Sequence, residues 1–307
     1  MKTTILLALM LLVSTFVWSS DKVYQLEYKL KPGETYNYNE VNNSTIMQQF
    51  MGQEINSRVV IDMMTEYKVK DVSATNFTIE LMYDRIVGEV AASMGGDQVM
   101  DMKYDSNSED TVFSEENISP LFKALTNTPF SLTVSKQGKV EAVEGTEKMM
   151  DAMIAAIGDE LDEEDIDAIL SSAGGFDNQS MQTAFERLTS YMPHKPVSIG
   201  ESWFSQMEVN SGGLHFITEM KWTLKSVEGH TAIIEADGKM TVPENVFDEE
   251  IEMTVAMTGT EKGFLYVDMN TGWPIKFEML QNMKGSITTM GMEIPMEIKT
   301  ETVMEKK

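Results

Sequence analysis

The sequence contains no cysteine, and this absence excludes several ways of holding a protein together. Disulfides, thiolate metal sites and an acylated N-terminal cysteine all require that residue. Basic residues are also scarce: 24 lysines and arginines stand against 49 aspartates and glutamates, and the net charge is −25. A chain this acidic repels phosphate backbones and anionic lipid heads. We therefore expect no nucleic-acid partner and a fold that depends on its hydrophobic core.

Catalytic and metal-binding motifs are missing as well. Histidine occurs only at His194, His215 and His230, and there is no nucleophile elbow, phosphate-binding loop or paired-histidine helix. The acidic run from Asp159 to Asp165 lacks the glycine and the alternating oxygen ligands of a calcium loop. Its side chains suit the first turn of a helix instead. We expect no enzyme activity, no cofactor and no metal site.

Methionine, by contrast, is abundant, with 27 residues. A cluster such as Met149, Met150 and Met153 could bind Cu(I), which prefers soft thioether ligands. The same residues, however, follow the three- and four-residue spacing of one helix face. Methionine is a flexible filler of irregular cores, and we favour this interpretation over a copper site.

The chain begins with a pattern typical of a secretory signal peptide. Lys2 supplies a positive charge, an apolar run extends from Ile5 to Val17, and Ser19 and Ser20 follow as small residues. The apolar run is too short for a comfortable membrane span, and no later stretch is apolar enough for one. We predict a signal peptide over residues 1–19 and a periplasmic or secreted protein. An uncleaved membrane anchor is the alternative.

A two-residue alternation of apolar and polar residues organises much of the remaining chain. Between Ile55 and Leu81 it runs through two long segments, separated by turn-forming residues at 71–76. This pattern predicts a long antiparallel hairpin with one buried face. Similar segments occur before and after the hairpin, including a first strand predicted at 23–30.

Residues 117–191 interrupt the strands with helical periodicity. Capping residues predict four helix starts: at Asn117 or Ser119, at Thr146, at Asp162, and at Asn178 or Ser180. The predicted fold is mainly β within the α+β class. We expect a curved antiparallel sheet or half-barrel with this helical insert packed on one face, and residues 20–307 forming a single domain.

Two strand-rich segments, residues 23–145 and 196–307, resemble each other. Gly33-Glu-Thr-Tyr36 matches Gly200-Glu-Ser-Trp203, and another short match follows further along each segment. We interpret these matches as an internal duplication, in which the two glycines begin equivalent strands. Unrelated hairpins that happen to share alternation and glycine turns are the alternative.

Five short motifs carry a further resemblance. They are Gly33-Glu-Thr-Tyr36, Met94-Gly-Gly96, Tyr104-Asp-Ser106, Val267-Asp268 and Thr271-Gly-Trp-Pro274. With these motifs the chain resembles an uncharacterised secreted family of Bacteroidota. In layout it is also similar to periplasmic lipoprotein-carrier half-barrels, in which helices close a curved antiparallel sheet that can hold acyl chains. The second resemblance implies a lipid or another apolar ligand, and neither resemblance assigns a catalytic residue.

A ligand would lie between the concave face of the sheet and the helical insert. A long curved sheet exposes a broad apolar face that must be covered, and flexible methionine side chains adapt to irregular shapes. The residues predicted to line this site are Ile61, Met63, Phe77, Ile79, Met149, Met153, Ile154 and Ile157. The alternative is a structural or envelope-interaction protein, in which the same residues only fill the core.

Overall fold

A computed structural model describes residues 22–110, 112–114, 117–157, 178–211, 214–248, 253–289 and 291–307. The strands are β1 (Val23–Tyr24), β2 (Thr35–Phe50), β3 (Gln53–Val72), β4 (Asn76–Met94), β5 (Asp97–Asp105), β6 (Phe130–Ser135), β7 (Val140–Glu144), β8 (Val197–Ser198), β9 (Ser202–Ser211), β10 (Leu214–Glu228), β11 (Thr231–Asp248), β12 (Met253–Asp268), β13 (Trp273–Thr289) and β14 (Met292–Lys306). The helices are α1 (Ser119–Leu125), α2 (Thr146–Ile157) and α3 (Asn178–Thr189).

Twelve strands form one antiparallel sheet, which confirms the predicted fold class. Its strand order is β7-β6-β4-β3-β2-β14-β13-β12-β11-β10-β9, and β5 pairs with β4 outside this path. The predicted long hairpin consists of β3 and β4, with 20 and 19 residues. Its alternation separates the two faces: Tyr67 and Val69 are buried, whereas Lys68 and Lys70 are exposed. We call the face that carries Tyr67 the concave face.

The first strand predicted, at 23–30, is wrong in its extent. Only Val23 and Tyr24 form a strand, which pairs with β8 in a separate two-stranded sheet. The alternation beyond them still marks burial, because Leu26, Tyr28 and Leu30 all lie in the core. The Tyr28 hydroxyl donates to the carbonyl oxygen of Thr189 at 2.7 Å. This segment therefore packs across one end of the core instead of extending the large sheet.

The two terminal strands of the sheet, β7 and β9, both contact α3. On the β7 side, Gln182 Nε2 donates to the carbonyl oxygen of Val140 at 2.8 Å, and the Thr189 hydroxyl donates to that of Gly138 at 2.6 Å. On the β9 side, Trp203 Nε1 donates to the carbonyl oxygen of Tyr191, just beyond the helix, at 2.9 Å. The curvature of the sheet thus brings its two edges to one helix, which occupies the gap between them.

Helices begin at Ser119, Thr146 and Asn178, which confirms the positions of three predicted starts, although the N-cap of α1 is Ile118 and not Asn117 or Ser119. The helix predicted from Asp162, the acidic run Asp159–Asp165 and the signal peptide at 1–19 lie outside the described residues. Within the described ranges, no helix combines the length and the apolar character needed to cross a bilayer.

Five strands of each predicted repeat follow one another in the same spatial order. We call β2, β3, β4, β6 and β7 the first unit, and β9 to β13 the second unit; β14 lies between β13 and β2. The equivalent turns match in detail. The backbone N–H of Gly33 donates to the oxygen of Val69 at 2.8 Å, and that of Gly200 donates to Leu224 at 2.7 Å. Both glycines have positive φ, +89° and +88°.

The irregularities of the two units also coincide. The register shift that follows Val69 in the β3–β4 pair recurs after Leu224 in the β10–β11 pair. A second shift, at Val134 between β6 and β7, recurs at Val267 between β12 and β13. Shared bulges are more specific than shared alternation, because each one inserts a residue at a defined point of the ladder.

Aromatic side chains fill the end of the core at which β2, β4 and β13 begin. Trp273 is the centre of this cluster, with Tyr28, Tyr36, Tyr67 and Phe77 at ring-centroid distances between 5.7 and 6.3 Å. All five side chains are buried. This end of the concave face is therefore occupied by the protein's own residues.

Candidate functional site

A half-enclosed cavity of about 280 Å³ lies between α3 and the middle of the concave face. Its apolar lining comprises Met63, Met181, Ala184, Phe185, Leu188, Phe277 and Met304, and its polar lining comprises Glu40, Asn42, Thr65, Tyr67, Tyr83, Arg187 and Thr302. These residues come from β2, β3, β4, α3, β13 and β14. The cavity therefore has both apolar and polar lining residues, and we call the polar ones the polar wall.

The polar wall contains one guanidinium that is held in place by an ion pair. Arg187 of α3 donates to Glu261 of β12, whose side chain is only 2% exposed. The Arg187 side chain keeps 32% of its surface accessible, so its remaining donors can reach a ligand. The second oxygen of Glu261, Oε2, is buried and accepts no hydrogen bond from the described residues. The ion pair with Glu261 thus fixes the position of the Arg187 guanidinium.

Glu40 is the second acidic group of the site, and it is half-buried on β2. Burial raises the pKa of its carboxyl group, against smaller opposing effects of a hydrogen bond from Asn42 and of the Arg187 charge. Asn42 Nδ2 donates to Glu40 Oε1 at 2.8 Å, and Thr302 donates to Asn42 Oδ1 at 2.6 Å. One oxygen of Glu40 and the amide oxygen of Asn42 are therefore already engaged by neighbouring side chains.

Two tyrosine hydroxyls complete the polar wall. Burial raises the pKa of Tyr67 and of Tyr83, and the nearby Glu40 charge acts in the same direction. Both phenols therefore stay protonated and can donate hydrogen bonds. Their rings are fixed by aromatic neighbours: Tyr67 lies 5.3 Å from Tyr38, and Tyr83 lies 5.9 Å from Phe130, measured between ring centroids. Neither hydroxyl makes a hydrogen bond to another described residue.

The concave face continues beyond the cavity along the same strands. We call this continuation the open end. Its half-buried apolar side chains are Ile46, Val59, Ile61, Ile287, Met296 and Ile298. Ile287, Met296 and Ile298 pack against a smaller buried cluster. Its members are Met240, Val242, Val255, Met257 and Met283. None of these side chains carries a charge, so the open end offers an uncharged surface next to the polar wall, with Ser44 and Thr300 hydrogen-bonded to each other at 2.9 Å between the two.

The structure separates the eight residues that the sequence predicted for a ligand site. Met63 borders the cavity, and Ile61 belongs to the open end. Five others are at most 3% exposed and belong to the core: Phe77, Ile79, Met149, Met153 and Ile157. Ile154 is 40% exposed on α2, a helix that packs against α1. The helix that borders the cavity is α3, and its residues were absent from the prediction.

Two wider grooves lie elsewhere on the described surface. One, of about 510 Å³, runs along β4 and β5 and includes Asp62, Glu89, Lys103 and Asp105. The other, of about 610 Å³, lies near the edge strand β9 beside Phe204. Each is more open and more charged than the cavity beneath α3, and so is less suited to enclosing an apolar ligand.

Comparison with solved structures finds similarity over most of the chain. A lipovitellin structure, described by its lipid–protein interactions, matches 90% of this chain at 9% identity and a TM-score of 0.48. This chain covers 25% of the lipovitellin chain. An outer membrane channel from Pseudomonas putida F1 matches 91% of this chain, with 97% of its own covered, at 8% identity and a TM-score of 0.24. Pseudomonas aeruginosa OccK7 (OpdD) matches 90% of this chain, with 99% of its own covered, at 6% identity and a TM-score of 0.23. Scores this low say nothing about function.

Sequence comparison is more specific. No curated protein sequence matches the chain. A family model does match residues 74–274, a range that extends from the turn before β4 into the first strand residues of β13 and includes the helical insert. The model is described as a family of unknown function. Since the match covers more than half of the sequence, the chain belongs to the family of unknown function DUF6263.

Proposed function

We propose that the protein is a non-enzymatic carrier or sensor that binds an acyl chain on its concave face. The observation that carries this proposal is the open end, an uncharged concave surface whose apolar side chains are only half-buried. Burial of apolar surface of this kind against hydrocarbon stabilises a complex by about 25 cal/mol for each Å² removed from water. An acyl chain laid along the strands would complete the burial.

A structural or envelope-interaction protein is the second candidate. One observation favours it: Phe77, Ile79, Met149 and Met153 are buried in the protein's own core. The aromatic end of the concave face therefore needs no ligand. The two candidates differ at the open end. A carrier or sensor binds a ligand there, whereas a structural protein needs none.

Titration of delipidated protein with a fluorescent fatty acid tests the proposal. Ile298→Gln places a polar amide at the open end, and we expect about tenfold weaker binding because apolar contact is lost and the amide must be desolvated. Val303→Gln is the matched control, since Val303 lies on the same strand but on the opposite face and is 41% exposed. It should bind like the wild type. Absence of saturable binding to the wild type would favour the structural protein.

The proposal includes export from the cytoplasm, on the basis of the signal-peptide pattern at 1–19. We expect the mature chain to begin at Ser20 or Asp21. N-terminal sequencing of protein isolated from its own host measures this directly. Retention of Met1 in envelope fractions would contradict a cleaved signal peptide.

A further inference from the structure

Hydrogen-bond donors converge on the polar wall of the cavity beneath α3. Tyr67, Tyr83 and Arg187 all line it, and each side chain ends in a donor group. A guanidinium carries five N–H donors, and the ion pair with Glu261 leaves part of the Arg187 side chain accessible. The rings of both tyrosines are fixed by packing, so their hydroxyls need little further ordering to meet a ligand.

One oxygen of each nearby carboxylate is already used, and the second oxygen of Glu261 is buried without a hydrogen bond from the described residues. Glu40 accepts from Asn42, Asn42 accepts from Thr302, and Glu261 accepts from Arg187. A ligand that brings oxygen acceptors would satisfy the donors without displacing an existing bond. A ligand that brings only donors, such as an amine, would leave the donor groups of Tyr67, Tyr83 and Arg187 without a new acceptor.

The rest of the cavity limits what the acceptor can be attached to. Met63, Phe185, Leu188, Phe277 and Met304 also line the cavity, and all are apolar. Ile61 of the open end follows Met63 on the same face of β3, two residues along the strand. A ligand with an acceptor group joined to a hydrocarbon chain fits this arrangement. Its acceptor would lie against the tyrosines, and its chain would extend toward the open end.

We propose that the cavity binds the carboxyl or ester carbonyl oxygens of an acyl chain, through hydrogen bonds from Tyr67, Tyr83 and Arg187. This inference rests on the proposed function and adds to it the recognition of the ligand's polar end. A free fatty acid and an acyl ester present the same carbonyl oxygen. The proposal therefore names that shared group, and the experiment separates the two sources.

The test compares hexadecanoic acid, its methyl ester and hexadecane, each as a competitor of a bound apolar dye. We expect the wild type to bind the acid, the ester or both about tenfold more tightly than hexadecane. The double variant Tyr67→Phe with Tyr83→Phe removes both hydroxyls and keeps both rings. Two lost hydrogen bonds should reduce the preference for oxygen by about tenfold, with hexadecane binding unchanged. Tyr104→Phe is the matched control, because that buried tyrosine lies outside the cavity lining.

The outcomes separate the inference from the proposed function. Tighter binding of the ester by the wild type indicates an esterified chain, tighter binding of the acid indicates a free fatty acid, and equal binding indicates recognition of the carbonyl oxygen that both share. A wild type that binds hexadecane as well as the other two overturns the inference and leaves the proposed function standing. So does a double variant that retains the full preference. A wild type that binds none of the three overturns both. The two single Tyr→Phe variants, each with a several-fold effect, decide the question if the double variant does not fold.

Discussion

At the scale of single residues, the site depends on groups whose protonation is set by burial. Glu40 places a carboxyl group in the polar wall, which also contains the protonated phenols of Tyr67 and Tyr83. Burial raises its pKa, so the carboxyl group retains its proton to a higher pH than an exposed glutamate does. A neutral Glu40 removes one negative charge from beside a bound acyl oxygen. Protonation of this residue is therefore compatible with an acceptor ligand.

The raised pKa of Glu40 predicts how stability depends on pH. The folded protein holds this proton more tightly than the unfolded chain, so the contribution to stability is full below the ordinary value of 4.5 and is lost as pH rises through the raised pKa. We expect Glu40→Gln to lose less stability than the wild type as pH is raised through that window. Urea unfolding at a series of pH values measures the difference.

The control for this prediction is Glu54→Gln, at an exposed position of β3. It should follow the wild-type curve. Burial also raises the pKa of Glu186 and of Asp84, so part of the slope will remain in every variant. Parallel curves for the wild type and Glu40→Gln would show that Glu40 titrates alike in the folded and unfolded states.

At the scale of elements, α3 is the part that joins the two edges of the sheet. Its attachment to β7 includes a close backbone approach: a Cβ atom on Gly138 would lie 1.8 Å from the carbonyl oxygen of Thr189. Gly138 also has a φ of +89°, a conformation that favours glycine. The positive φ belongs to the β6–β7 turn, whereas the close approach comes from the position of the helix end against that turn.

The attachment predicts a difference between two glycine variants. Gly33 has the same φ of +89° but nothing within 4 Å of its added Cβ atom, so Gly33→Ala should cost only the backbone strain of about 1–2 kcal/mol. We expect Gly138→Ala to lower the free energy of unfolding by at least about 1 kcal/mol more, because the helix end must move. Hydrogen exchange should also be faster in α3 of Gly138→Ala alone. Equal effects of the two substitutions would contradict the close contact.

The elements were largely predictable from the sequence, because strands and helices follow local periodicity. The alternation around Tyr67 predicts β3, and Thr146, a residue type that favours helix starts, predicts α2. The exception is instructive. The alternation of Leu26, Tyr28 and Leu30 indicates burial correctly, but it does not indicate a partner, and this segment pairs only at its first two residues.

The candidate site was less predictable, because six elements distant in sequence contribute to it. Tyr67 is indistinguishable from a core residue by its alternation alone, and Arg187 resembles any polar residue of an amphipathic helix. One local signal did exist. Glu40 continues the face of β2 that carries the buried residues Tyr36 and Tyr38, so an acid follows two aromatic residues on the concave side. Which residues meet across the cavity depends on the curvature of the sheet.

At the scale of the whole molecule, the two units meet at two different junctions. On one side β14 links them, and its ladder with β2 extends from the Met296–Gln48 pair to the Lys306–Tyr38 pair. On the other side α3 lies between β7 and β9 and contacts them without a strand ladder. The junction at β14 consists of continuous backbone hydrogen bonds. The junction at α3 depends on contacts of its side chains and of its C-terminal end.

This asymmetry predicts where the molecule opens first. We expect backbone amides in the β2–β14 ladder to exchange with solvent more slowly than those of α3, because opening the ladder requires many hydrogen bonds to break together. Native-state hydrogen exchange followed by mass spectrometry measures both regions in one experiment. Slower exchange in α3 would place the weaker junction at β14 instead.

The attachment of both terminal strands to α3 also bears on self-association. An exposed edge strand is a template for pairing with another chain, and long sheets are especially prone to aggregate in this way. Here the helix contacts β7 and β9, and the outer edge at β5 carries the charged residues Asp97, Asp101 and Lys103. Charges on an edge oppose the approach of a second strand. Detaching α3 would therefore make the protein prone to polymerise through its strands, a hazard that the folded chain avoids without a single covalent cross-link.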